Sequence, residues 1–188
     1  KGVPETPPHI LEEWRALDLS PEKFLGPVGL AIPAGEKGRM VIEMIQSRPT
    51  CDVNGIIGGY TGVGAKTVIA AEASAKISFR LVGQQDPDAI RDAFQAHVRA
   101  RLPADCTADF ISHKGSKAIT LPFDMPDLVA AKAALKDEWG VAAVTIGSVG
   151  SIPGIGEFKT ALGLDSLLIG FALDDDRIHS PNEKYDVR

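Results

Sequence analysis

Four glycines in seven residues, Gly58-Gly59-Tyr60-Thr61-Gly62-Val63-Gly64, set the first limit on the fold of this chain. So much glycine costs too much conformational entropy for a helix or strand interior. The segment is read as a loop, and everything else is arranged around it. Before it, residues 1–50 are rich in Pro and Gly, with short helices expected at 8–17 and 37–46. Ser20-Pro21-Glu22 is a helix start, with Ser as N-cap and Pro at the first helical position.

After the loop, strands are expected at 67–69 and 75–82. In the second, Ile77, Phe79 and Leu81 alternate with Lys76, Ser78 and Arg80, the mark of one buried and one open face. Asp86-Pro87-Asp88 opens a helix whose stripe is Ile90, Phe94 and Val98, and Leu102-Pro103 ends it. Further strands are expected at 107–112 and 118–121. This half reads as an α+β unit, an antiparallel sheet with helices on one face. A crossover at 122–124 leads to a different rhythm. A helix at 126–139 directs Leu128, Ala131, Leu135 and Trp139 inward and is capped by Gly140. A strand at 142–146, a Gly/Ser loop, a helix at 154–162 stopped by Gly163 and an apolar strand at 167–171 complete an α/β pattern with parallel strands. Two domains are expected, 1–121 and 122–188.

A net charge of −5 and a pI near 5.4 argue against nucleic-acid binding. No apolar run is long enough to span a bilayer, and no signal peptide is visible, although the chain starts at Lys1. Cys51 and Cys106 lack CxxC spacing and read as free thiols of a reducing compartment, so the cytoplasm is the expected location.

The last strand empties into Asp174-Asp175-Asp176-Arg177-Ile178-His179-Ser180-Pro181-Asn182-Glu183-Lys184-Tyr185, and ligands of α/β sheets sit beyond the carboxyl ends of strands. A lone histidine is usually a surface residue. His179 gains weight because it sits in a polar loop before a proline, with Glu183 or Asp175 available to orient its ring. Asp174–Asp176 are read as a solvated acidic turn. Gly147-Ser148-Val149-Gly150-Ser151-Ile152-Pro153 opens a helix and offers free N–H groups to an anion; without a Walker lysine or Rossmann spacing it is equally a plain turn. Arg80, on the open face of its strand, either sits in water or forks a substrate carboxylate. Thr67 could donate a hydroxyl bond, or simply begin a strand. His113 ends a strand and is read as exposed, and His9 and His97 as incidental. No Ser-His-Asp order, HExxH or paired glutamate stands out. Chemistry alone stops at a soluble domain with a candidate anion site.

Three segments in order go further. Gly62-Val63-Gly64-Ala65-Lys66-Thr67-Val68-Ile69 with Lys76-Ile77-Ser78-Phe79-Arg80-Leu81-Val82 resembles the lid domain of the dinuclear zinc exopeptidases related to carnosinase, cytosolic non-specific dipeptidase, acetylornithine deacetylase and succinyl-diaminopimelate desuccinylase. Gly150-Ser151-Ile152-Pro153 with Phe158 is similar to that family's GGSIP loop and helix, and Ile178-His179-Ser180-Pro181-Asn182-Glu183-Lys184-Tyr185 to its last metal-ligand loop. Val149 and Lys114 stand where the family has glycine, and Ala70 where it has proline.

The resemblance implies an internal fragment: a lid or dimerisation domain over 1–121 and the C-terminal segment of an α/β catalytic domain over 122–188. It implies His179 as a zinc ligand, Arg80 on the substrate's carboxylate, Thr67 reaching it from the partner subunit, His113 lining the pocket, and Gly150 and Ser151 contacting substrate. Two zinc ions are implied for the full-length parent, with manganese or cobalt as substitutes, and none held stably by this piece. The HxD pair, bridging Asp, adjacent glutamates and oxyanion-stabilising lid histidine of the family are expected upstream, so the fragment is expected to be inactive. The parent is expected to hydrolyse dipeptides or N-acyl amino acids with a free carboxylate and to be a homodimer through its lid, with no nucleic-acid or membrane partner. The alternative is a non-catalytic dimerisation or small-ligand-binding module.

Overall fold

Helix α1, Pro8–Ala16, carries proline in its first turn and buries Ile10 and Trp14 on one side. A computed structural model describes residues 2–147, 152–173 and 175–187. Ile10 and Trp14 meet Ile42 of α3, Val41–Gln46, with Leu11, Leu19 and Met40 packed around them. This is the principal buried apolar cluster among the described residues. Between these helices lies α2, Pro21–Leu25, whose Ser20 side chain accepts from the Lys23 N–H, as the cap signal requires.

A carboxylate–guanidinium network braces the same region. Arg39 donates to Glu5 through Nη1 at 2.5 Å and Nη2 at 2.9 Å, and to buried Glu43 at 2.7 Å. Arg48 grips Glu36 through Nε at 2.7 Å and Nη2 at 3.0 Å. The Arg39 bonds hold Glu5, and the Arg48 bonds hold Glu36, below the usual carboxylate range.

The sheet is an antiparallel pair. β1, Thr50–Gly58, runs from Thr50 opposite Arg80 to Gly58 opposite Ala73 of β2, Ala73–Arg80. An irregularity between Val53 and Gly55 shifts the register by one residue and leaves Asn54 outside the ladder. β1 departs from the sequence reading, which begins its strands only at residue 67. Asp52, Asn54, Gly55 and Gly58 are turn-type residues, and their local preference hides a strand that its partner enforces.

Along β2 the expected alternation holds: Ile77 and Phe79 are half-buried, whereas Lys76, Ser78 and Arg80 are exposed. Helix α4, Pro87–Arg99, lies against that face, with the Phe94 ring 5.3 Å from Phe79 and 6.5 Å from Phe110 in edge-on contacts. Asp86 caps α4 by accepting from the Asp88 and Ala89 N–H groups. Sheet plus α4 is the expected α+β arrangement, a sheet with a helix on one face.

The segments 67–69, 107–112, 118–121, 142–146 and 167–171 form no ladder among the described residues, unlike the strands expected there. A strand requires a partner at hydrogen-bonding distance, and apolar β-branched runs specify only the propensity for one.

Helix α5, Pro126–Trp139, and α6, Pro153–Leu162, end at Gly140 and Gly163, both left-handed, as the glycines predict. Leu128, Ala131 and Leu135 are half-buried. Trp139, expected inward, is 62% exposed, with the tilted ring of Phe171 at 5.9 Å. The accessible surface is 14736 Å². A compact monomer of this mass has about 8,700 Å². The excess leaves Ile56, Val129, Leu168 and Phe171, among others, without apolar cover.

Candidate functional site

The expected site residues are distributed over three places. Thr67 follows the glycine loop between β1 and β2 and is exposed. That loop is ordered locally by Tyr60, whose hydroxyl donates to the Val63 carbonyl at 3.3 Å and whose ring carries the Lys66 ammonium 5.5 Å above it. Arg80 closes β2 opposite Thr50 and is exposed, with no ion pair among the described residues. His113 is exposed in a segment that runs along α4: Ser112 accepts from Gln95 at 3.5 Å, and a Cβ at Gly115 would lie 2.7 Å from Pro87. No hydrogen bond or ion pair joins any of these residues to another. Gly150 and Ser151 lie outside the described residues.

His179 is exposed at the tip of the loop 175–185, with a left-handed backbone at φ 61°. Arg177 and Asn182 share that conformation at φ 56° and 63°. Left-handed geometry costs a non-glycine residue on the order of 1 kcal/mol, so three in six residues need a frame to hold them. The frame is visible. Ser180 N–H donates to the Arg177 carbonyl at 2.8 Å, Glu183 N–H to Ser180 at 3.2 Å, and Lys184 N–H to Asp176 at 3.0 Å. Glu183 Oε2 accepts from the backbone N–H of His179 at 3.2 Å. Asp175 takes the Lys184 ammonium at 2.7 Å, and this hydrogen bond lowers the Asp175 pKa and raises that of Lys184.

Two readings of this loop are corrected here. Glu183 and Asp175, considered as partners of the His179 ring, engage the His179 backbone and Lys184 instead. The acidic run is not uniformly solvated: Asp175 is exposed, whereas Asp176 is 2% exposed; Asp174 lies outside the described residues. Asp176 Oδ2 accepts from the Leu173 N–H at 2.7 Å, and Oδ1 has no hydrogen-bond partner among the described residues, with Lys184 Nζ 4.0 Å away. An aspartate whose side chain takes the N–H three residues before it has no distinct sequence signature in a run of three, so reading the run as one unit concealed it. Asp176, Ile178, Glu183, Lys184 and Tyr185 border an open depression of about 510 Å³.

Residues 9–106 match the M20 peptidase dimerisation domain. The chain belongs to this family. Over 99% of its length it is 30% identical to the Cys-Gly metallodipeptidase DUG1 of Saccharomyces cerevisiae, of which it covers 40%. Over 93% it is 30% identical to the Cys-Gly metallodipeptidase DUG1 of Candida albicans, covering 36% of that protein. In structure it is similar to the M20 family metallo-carboxypeptidase Sso-CP2 of Sulfolobus solfataricus, with a TM-score of 0.79 and 26% identity, over 97% of this chain and 41% of the other. The di-peptidase Dug1p of Saccharomyces cerevisiae follows with a TM-score of 0.73 and 27% identity, over 97% and 39%. The M20 chain thus spans about two fifths of the length of these relatives.

A metal centre of the kind these metallopeptidases carry is not assembled by this chain's described residues. No group of three or more His, Cys, Asp or Glu side chains among them could hold a metal ion. Catalytic zinc ordinarily takes three protein ligands, so the donor set here does not fit a complete centre. No helix among the described residues is long and apolar enough to cross a membrane.

Proposed function

We propose that this chain is the lid and returning catalytic segment of a metal-dependent dipeptidase. The whole protein hydrolyses dipeptides or N-acyl amino acids bearing a free carboxylate. The observation that carries this reading is the end-to-end likeness to Cys-Gly metallodipeptidases, which runs through both the glycine loop and the His179 loop. The division at residue 121 is part of the proposal, with lid before it and catalytic segment after it. So is pairing of two copies through the lid, which the apolar residues left exposed on β1, Val53, Ile56 and Ile57, favour.

Within this frame each residue binds or orients. Arg80, on an open face and with no ion pair among the described residues, takes the substrate carboxylate as a bidentate fork. His113 lines the substrate pocket. Thr67 reaches the substrate of the partner subunit from the ordered glycine loop. Gly150 and Ser151 contact the substrate from the catalytic segment. His179 supplies one ligand to the metal centre, zinc by the chemistry of a histidine donor, and the remaining ligands and the general base come from elsewhere in the protein. The protein works in the cytoplasm, where its two exposed thiols stay reduced.

The test is a hydrolysis assay with Cys-Gly and other dipeptides, with added zinc or manganese, on two samples. The product of the full reading frame containing this sequence is expected to turn over, and to lose that activity on His179→Ala. The 188-residue chain alone is expected to show none. A full-length product that binds dipeptides without cleaving them points instead to a non-catalytic ligand-binding module, and turnover that survives His179→Ala removes the ligand role.

A further inference from the structure

Asp176 is a buried carboxylate in a loop that otherwise faces water. Its three backbone and side-chain oxygens are used unequally. Oδ2 takes the Leu173 N–H at 2.7 Å, the carbonyl takes the Lys184 N–H at 3.0 Å, and Oδ1 is left without a hydrogen bond among the described residues. Leaving a buried charged oxygen unsatisfied is unfavourable. Lys184 Nζ stands 4.0 Å from it, close enough to attract, but bonded to Asp175 at 2.7 Å.

These bonds close the loop at its base. The Asp176–Lys184 rung brings the two chain ends together, and the next residue, Glu183, reaches back to the His179 N–H at 3.2 Å. Between Asp176 and Lys184 lie three left-handed residues, Arg177, His179 and Asn182. None is a glycine, so the conformation is imposed by the frame and not by the residues.

We propose that Asp176 is a positioning residue, whose buried carboxylate clamps the base of the loop and so holds the His179 backbone in the left-handed form that fixes where the imidazole projects. This rests on His179 being the functional group of the loop, as proposed above. The clamp itself is a property of the metal-free chain. Loss of the carboxylate has a distinct consequence: the Leu173 N–H loses its acceptor, the turn at 173–176 that presents the Asp176 carbonyl to the Lys184 N–H loosens, the Glu183 bond to the His179 N–H weakens with it, and the imidazole samples several directions.

The experiment is amide hydrogen exchange, with NMR of the His179 ring, on the metal-free chain and three variants. Asp176→Ala is expected to speed exchange at the Leu173, His179 and Lys184 amides by about tenfold or more, and to broaden or split the His179 ring signals. Asp176→Asn keeps an oxygen for the Leu173 N–H and is expected to restore protection there and a single ring signal. His179→Ala is expected to leave Leu173 and Lys184 protected. Unchanged protection in Pro87–Arg99 certifies a folded sample; if Asp176→Ala does not fold, Asp176→Asn decides alone. Leu173 and His179 amides that exchange as in the unaltered chain in Asp176→Ala, or an Asp176→Asn chain as open as one lacking the loop contacts, overturn the clamp. The failure of the metal-ligand reading is seen elsewhere: His179→Ala that leaves full-length turnover intact removes that reading and leaves the exchange result standing.

Discussion

The indole Nε1–H of Trp14 donates to the backbone carbonyl of Thr145 at 2.8 Å, joining α1 to a segment 131 positions away. Lys132 of α5 reinforces the seam, donating to Thr145 Oγ1 at 3.3 Å and pairing with Glu13 at 3.5 Å. The first helix and the segment leading into the Gly/Ser loop are therefore one packed unit, although they lie on opposite sides of the proposed division at residue 121. Trp14 is 3% exposed, so its ring and its N–H both matter. Trp14→Phe, which removes the donor and leaves a carbonyl short of its partner, is expected to cost about 1–3 kcal/mol. Trp14→Ala is expected to cost about 3–5 kcal/mol. Urea unfolding of the chain measures both, and a Phe variant as stable as the parent removes the seam's role.

The same seam is crowded two residues on. A Cβ added to Gly147 would stand 1.9 Å from the carbonyl oxygen of Gln46, a backbone atom that cannot swing away. Gly147→Ala is expected to destabilise by about 1–3 kcal/mol or more, because α3 or the segment at 145–147 must move. At Gly154, where nothing lies within 4 Å of such a Cβ, the same substitution meets no steric cost. The contrast between the two variants in thermal unfolding is the measurement.

What the sequence makes legible is what a few neighbouring residues decide. Asp86 before Pro87, Ser20 before Pro21, and Gly140 and Gly163 after their helices all act where they were read, because a cap satisfies N–H or C=O groups within one turn. The Ile77–Phe79 face was equally readable, because alternation is a two-residue property. β1 was not, since its ladder to β2 depends on residues some twenty positions away and overrides the turn character of Asn54 and Gly55. The opposite error, strands expected at 107–112 or 167–171, has the same origin: apolar runs announce a wish for a neighbour and do not supply it. In the site, residue types in order pointed to His179 and Arg80, but the burial of Asp176 beside exposed Asp175 is a three-dimensional fact with no one-dimensional trace.

The Asp175–Lys184 pair gives a pH signature with a definite sign. Its hydrogen bond lowers the Asp175 pKa below the ordinary 3.8, so the stabilisation is present above that value and is lost as pH falls through the depressed one. Lys184 is raised above its ordinary 10.5, so its share is present below that value and is lost as pH rises through the raised one. The loop contact is thus expected to hold across the neutral range and to fail at both extremes. Both groups meet water, so the effect on global stability is small. Exchange at the Lys184 amide followed against pH reads it locally. Asp175→Asn is expected to abolish the acid limb there while leaving the His179–Glu183 bond, and an unchanged acid limb in that variant assigns the dependence to another carboxylate.

Arg80 carries the sharpest functional prediction. It ends β2 opposite Thr50, its side chain is exposed, and no carboxylate among the described residues satisfies it, unlike Arg39 and Arg48, which are saturated by Glu5, Glu43 and Glu36. An exposed arginine at the end of a strand, with no carboxylate partner among the described residues, is available to a ligand, and its five donors suit a carboxylate. A charge-assisted bond of this kind is worth about 1.5–3 kcal/mol, so Arg80→Ala in the full-length product is expected to lower kcat/KM for dipeptides about tenfold to a hundredfold. Arg80→Lys is expected to recover part of it, because the charge returns without the planar fork. The decisive comparison is with C-terminally amidated dipeptides: the unaltered protein is expected to handle them poorly, and Arg80→Ala to leave that residual rate nearly unchanged. An Arg80→Ala loss of equal size on free and amidated substrates would instead mean that the guanidinium supports the end of the sheet and never meets the carboxylate.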